Sequence, residues 1–212
     1  MKKIKLSGAL ALVFLAVSVH AQFGMGGGMA MQFSKCKIVS GDVSLLKGKT
    51  FKTTFIYDGM TVGKKKTEEE YVKEKVAKYN EKEPGRGDNW AKAWVADRKS
   101  RFEPHFFQKF NELGAETQTQ ASADQGEWQL EVKTIYTDPG WNIGIDKKPA
   151  TINAICTFRD NTGKEVAVVN VFNVPGQEFG GFDFETGVRL AECYEKCGKD
   201  LYRTISKEFK KK

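Results

Sequence analysis

The chain has 212 residues, 34 of them basic and 27 acidic for a formal net charge of +7, and 40% are hydrophobic. That composition supports one domain with a sizeable core and excludes a fibrous or wholly disordered chain. Only two histidines occur, His20 and His105, which rules out the zinc hydrolase layouts built on two or three histidines if the amino-terminal segment is lost.

Residues 1–21 read as a secretory signal peptide. Lys2, Lys3 and Lys5 precede an apolar run from Leu6 to Val19, too short to span a bilayer comfortably, and Val19-His20-Ala21 suits a signal peptidase acting before Gln22. Cleavage there predicts an exported protein, in the periplasm or secreted. The segment carries three lysines and no acid, so the charge of +7 falls to +4 and His105 is left as the single histidine. No cysteine directly follows the apolar run, which argues against a lipid anchor, and no later stretch has the length and apolarity of a membrane span. Lys64-Lys65-Lys66 and Lys210-Lys211-Lys212 allow peripheral contact with an anionic surface. They lack the aromatic interleaving of a nucleic-acid groove, so no nucleic acid is expected.

Residues 22–34, rich in Gly and Met, have no periodicity and read as a flexible leader before a single domain over 35–212. A short extended piece around Ile38-Val39 is followed by a firm strand from Thr50 to Tyr57, where Phe51, Phe55 and Tyr57 share a face. Thr67-Glu68-Glu69-Glu70 is a capping box, and Val72, Val76 and Tyr79 then make one helical stripe expected to be buried. Asp88 is placed to cap a second helix through Trp90, Trp94, Val95 and Phe102. Pro104 must kink it or start a new turn, after which Phe106, Phe110 and Leu113 continue the apolar face.

A polar loop from Ala115 to Gly126 leads to a strand from Trp128 to about Thr137, one face wet. Asp138-Pro139-Gly140 is a turn, Ile152, Ala154, Cys156 and Phe158 alternate along the next strand, and Asp160 to Gly163 closes a hairpin onto Val166 to Val174. After a glycine-bearing loop, Asp183 opens a last helix whose Leu190, Tyr194, Cys197, Leu201 and Ile205 form one stripe. The order β-α-α-β-β-β-α predicts an α+β fold, a largely antiparallel sheet with helices packed on one face.

Reactive side chains are few. Cys36, Cys156, Cys193 and Cys197 are an even set in an exported chain, hence disulfide candidates; Cys193 and Cys197 lie one helical turn apart, too far for a bond without distorting the helix. Cys156 with Cys193 or Cys197 is the better geometry, Cys36 taking the other, and four buried thiols is the alternative. No metal site and no cofactor are expected, since neither a nucleotide-binding glycine motif nor a histidine-bearing metal motif is present. Arg86-Gly87-Asp88 is read as a turn and helix cap rather than an adhesion tripeptide. Glu103 beside His105 and the cluster Glu68 to Glu70 have structural roles enough, at a helix break and a helix start.

Large apolar residues in loops say more. Trp141, Ile143, Phe179 and Phe182 sit in two glycine-bearing loops and would form a sticky rim if adjacent, suited to an envelope or extracellular protein or an apolar ligand; otherwise they fold back as lids.

The segment from Trp128 to Phe209, with its DPGW turn and YEKCGKDL helix, resembles small exported bacterial α/β domains of unknown function. It is also loosely similar to the amino-terminal domain of the TolB type. That resemblance implies envelope assembly or adaptor work and carries over no catalytic motif. The expectation is therefore a non-enzymatic binding or adaptor module. Two alternatives are a hydrolase relying on His105 with a Cys or carboxylate, and a metal-handling protein in which Met25, Met29 and Met31 of the leader hold Cu(I).

Overall fold

The computed structural model of the chain describes residues 34–64, 66–142, 146–176 and 185–210. The expected signal peptide, the leader up to residue 33, Ile143, Phe179, Phe182 and the expected helix start at Asp183 lie outside them.

β1 (Lys35–Gly41) passes through a single 3-10 turn, Val43–Leu46, started by the Asp42 carboxylate accepting the Ser44 amide at 2.9 Å, into β2 (Thr50–Ile56). Two short strands, β3 (Thr61–Val62) and β4 (Lys66–Thr67), then run directly into α1 (Glu68–Asn80). The capping box forms as its spacing requires: Glu70 N donates to Thr67 Oγ1 at 3.2 Å, and Thr67 N donates back to Glu70 Oε2 at 2.9 Å.

Next come α2 (Arg86–Asp97), a π-helical turn at Arg98–Phe102, and α3 (Glu103–Gly114). Pro104 has no amide to donate, and the chain meets that demand by widening the turn before it and placing the proline in the first turn of α3. Asp88 does not cap α2. Gly85, at φ 81°, is the capping position, and Asp88 instead accepts from Asn80 Nδ2 at 3.1 Å.

Beyond α3 the chain makes β5 (Gln120–Ser122) inside the segment expected to be loop, then β6 (Trp128–Asp138), β7 (Trp141–Asn142), β8 (Lys147–Lys148), β9 (Ala150–Arg159), β10 (Glu165–Gly176) and α4 (Thr186–Ser206). The main sheet runs β1-β10-β9-β6-β2-β5, with β3 beside the far end of β6. From β1 to β6 every neighbour is antiparallel, while β6, β2 and β5 are parallel. The parallel pairs exist because α1 to α3 carry the chain back to the end from which β2 started. The fold is α+β, with a largely antiparallel sheet in one domain.

Strand alternation decides what each face holds. Phe51, Leu130, Val132, Ala154, Cys156, Phe158, Val169 and Val171 are buried toward the helices. α4 lies over this face with Leu190, Tyr194, Cys197, Leu201 and Ile205 all at or below 1% exposure, each such side chain contributing about 1.5–3 kcal/mol of burial. Tyr194 is the hub. Its ring stacks on Phe102 at 5.1 Å and 4°, meets Phe55 edge-on, and its hydroxyl shares a 2.7 Å hydrogen bond with Thr134 Oγ1.

α1 departs from expectation. Val72, Val76 and Tyr79 are only half-buried and no residue of the helix is fully enclosed. The helix docks on α2 through a side cluster of rings, Tyr71, Tyr79 and Trp90 with Trp94, rather than on the sheet.

Candidate binding surface

At the end of β6 the sheet gives way to a two-stranded ribbon in which Trp141 pairs with Lys148 and Asn142 with Lys147. The turn before it has two built-in constraints. Asp138 Oδ1 accepts the Gly140 amide at 3.0 Å, and Gly140 stands at φ 60° so close to the returning strand that a Cβ would fall 2.2 Å from the Lys148 carbonyl oxygen. The other Asp138 oxygen forms an ion pair with Lys148.

Trp141 is held from two sides and still displayed. Its Nε1 donates to Asp146 Oδ2 at 3.0 Å, the Lys148 ammonium stands 5.3 Å from its ring centroid, and 45% of the residue is exposed. The ribbon is also tied to α4: Arg189, 3% exposed, donates from Nε to the Pro139 carbonyl at 3.1 Å. Below the ribbon, burial raises the Tyr136 hydroxyl pKa, with Asp138 adding to the shift and Lys148 opposing it. A ring fixed in this way loses little freedom when something packs on it.

Of the four residues expected to form the rim, the structure places Trp141; Ile143, Phe179 and Phe182 are not among the described residues. Asp138, Asp146, Lys148 and Arg189 escaped the sequence reading. A signal existed for the first, because Asp-Pro-Gly is a turn, but nothing local announces that an arginine inside an apolar helical stripe will reach back fifty residues.

The sheet offers a second surface. The sheet face away from the helices carries half-buried Ile155, Val168 and Phe172 among Lys37, Lys133 and the Arg159–Glu131 pair, whose atoms are 3.6 Å apart.

The residues weighed for catalysis are dispersed. His105 lies on α3 with Nδ1 3.9 Å from Glu195 Oε2, beyond hydrogen-bond length, and both side chains are 42% exposed. Glu103 turns inward, 5% exposed, and takes the Lys99 ammonium at 2.9 Å. Glu68 receives the Trp94 indole N–H and the Arg98 guanidinium. A crevice of about 10 Å³ between Tyr57, Met60, Trp94, Arg98, Phe102 and Tyr194 has room for about one water molecule. Among the described residues no group of three or more His, Cys, Asp or Glu is arranged to hold a metal ion.

The cysteines are free thiols in the structure, Cys36 half-buried on β1 and Cys156, Cys193 and Cys197 fully enclosed between sheet and α4. None of the described helices is long and apolar enough to cross a membrane.

No family model matches the chain, and no curated protein matches it. Two solved structures of the PelC dodecamer from Paraburkholderia phytofirmans, one of them a point variant, each overlap 80% of this chain and 98% of their own. The identities are 12% and 10%, and the TM-scores 0.38 and 0.39.

Proposed function

We propose that this chain is an exported, non-enzymatic binding or adaptor module that holds an envelope or extracellular protein, or an apolar ligand, against the Trp141 ribbon. One observation carries the reading: a large indole is exposed yet pinned by Asp146, Lys148 and the Gly140 turn, an arrangement the core does not need. The export half rests on residues 1–21 alone.

Two experiments test it. A photo-crosslinking residue placed at position 142, beside the indole, in intact cells should capture a discrete partner, and Trp141→Ala should abolish that capture while the protein stays folded. Capture that is indifferent to Trp141→Ala overturns the role of the ribbon. Amino-terminal sequencing of the protein recovered outside the cytoplasm should begin at Gln22; an intact Met1 terminus would overturn export.

A further inference from the structure

The outer face of the main sheet is built in level rows. The register carries one row from Lys37 on β1 through Asn170 on β10 and Ile155 on β9 to Lys133 on β6 and Ile56 on β2. The next runs from Ser40 through Val168 and Thr157 to Glu131 and Thr54. Strand alternation turns all ten side chains to the side opposite buried Val132, Cys156 and Val169. α3 and α4 pack on that other side, where Phe106 meets Phe55 edge-on and Leu190 and Tyr194 are enclosed.

This face is a trough with an apolar floor and cationic banks. Along β9 and β10 the floor presents half-buried Ile155, Val168 and Phe172, with Thr157 nearly enclosed between them. On one bank β1 displays Lys35 and Lys37, and on the other β6 displays Lys133, all three exposed. Among the described residues none of these lysines is in an ion pair. Glu131 shares the second bank, but Arg159 holds its carboxylate at 3.6 Å. Three register steps separate Lys37 from Lys133, about 14 Å at the usual strand spacing. An α-helix with its side chains is about 10–12 Å across. The strongly exposed large apolar residues, Val39, Leu45, Val95, Trp141 and Val188, all lie off the floor, so the trough is shaped to receive an apolar ridge and not to enter a bilayer.

We infer that this trough docks an amphipathic helix with acidic flanks, carried by a partner protein and lying along β9 and β10. The apolar ridge of that helix covers Ile155, Val168 and Phe172. Its carboxylates face Lys35 and Lys37 on one bank and Lys133 on the other. A helix with apolar residues at i, i+3, i+4 and i+7 has such a ridge, and the positions beside it carry the acids. Opposite charge steers the approach, and the apolar floor holds what arrives. A basic helix of the same shape is refused, because its cations meet three lysines. Once docked, the helix gives the sheet a layer on its open side to match α3 and α4 on the other. The site uses no residue of the Trp141 ribbon.

Two labelled helical peptides of about 18 residues test this by fluorescence anisotropy against the full chain in about 50 mM salt. One has a leucine ridge flanked by glutamates, and its twin has lysine in place of every glutamate. The glutamate peptide should bind at least tenfold more tightly than the twin and lose at least tenfold in about 300 mM salt. Lys37→Glu with Lys133→Glu should cut its affinity at least tenfold. The same double reversal on exposed lysines of α1 and α2, Lys73→Glu with Lys92→Glu, should change it less than threefold. Val168→Thr, which keeps the side-chain shape and adds a hydroxyl to the floor, should cost at least threefold, with thermal unfolding showing each variant folded. Equal binding of the twins, equal losses in the two double reversals, or no saturable binding of the glutamate peptide up to about 1 mM overturns the proposal. So does binding to phosphatidylglycerol vesicles that needs Lys37 and Lys133 when the peptide does not bind, which assigns the face to lipid. Capture at position 142 is scored separately, so failure here leaves the Trp141 reading standing.

Discussion

Gly198 of α4 presses against the Phe106 carbonyl of α3 so closely that a Cβ would sit 2.6 Å from the oxygen and 3.3 Å from the Phe110 nitrogen. The two helices touch backbone to backbone at this point, and that approach lets Tyr194 and Phe102 stack a turn away. Gly198→Ala gains about 1 kcal/mol of helix propensity but forces the helices apart. The expected net is a loss of about 1–3 kcal/mol in urea unfolding, with the fold retained.

Removing the Tyr194 hydroxyl separates packing from polarity. In Tyr194→Phe the ring stack survives, but Thr134, at 0% exposure, loses the partner of its 2.7 Å bond. A destabilisation of about 1–2 kcal/mol is expected. Adding Thr134→Val should recover part of it, because the second change removes the stranded hydroxyl; a larger combined loss than the sum of the two would contradict this.

Cys36 supplies a pH signature. Burial pushes its thiol from an ordinary value of 9.0 to about 11, with Cys197 and Asp200 raising it further and Thr204 and Lys207 opposing. Because the folded value is the higher, the stabilisation is fully present below pH 9.0 and is lost as pH rises toward about 11. The stability difference between the native chain and Cys36→Ala should therefore shrink across that window, and alkylation of Cys36 should keep accelerating past pH 10 rather than levelling at 9.

Trp141→Ala should change stability by no more than about 0.5 kcal/mol, since nearly half of the residue is already in solvent. Partner capture should disappear. Gly140→Ala is the complementary variant, leaving the indole in place while the Lys148 carbonyl displaces the turn. It should weaken capture in proportion to the ribbon's distortion, visible as a changed Trp141 fluorescence maximum.

How far the sequence could be read depends on which interactions are periodic. Leu190, Tyr194, Cys197, Leu201 and Ile205 announce α4 because a buried helix face repeats every three to four residues, and Ile152 to Phe158 announce β9 because a half-buried strand repeats every two. Thr67 and Glu70 announce the start of α1 because capping is local. The same periodicity misled at Val72 and Val76, since an apolar stripe does not say whether it meets the sheet or only a neighbouring helix. β5 was hidden because Gln120 to Ser122 owe their strand to β2, seventy residues earlier. At the candidate surface Trp141 was legible as an apolar residue in a loop. Its restraints were not, for Lys148 and Arg189 act through contacts that chain order does not reveal.

The pairing of β1 with β10 has a kinetic corollary. Among the described residues the first strand finds its antiparallel neighbour in the last, with some 130 residues between paired positions. A chain emerging in order from its amino end cannot finish the sheet until residue 176 is free, and cannot roof it until α4 follows. Non-local closure of this kind slows folding, so Lys35–Gly41 waits as an unpaired edge through nearly the whole of emergence. Any factor that guards the nascent chain has its longest-lived target there.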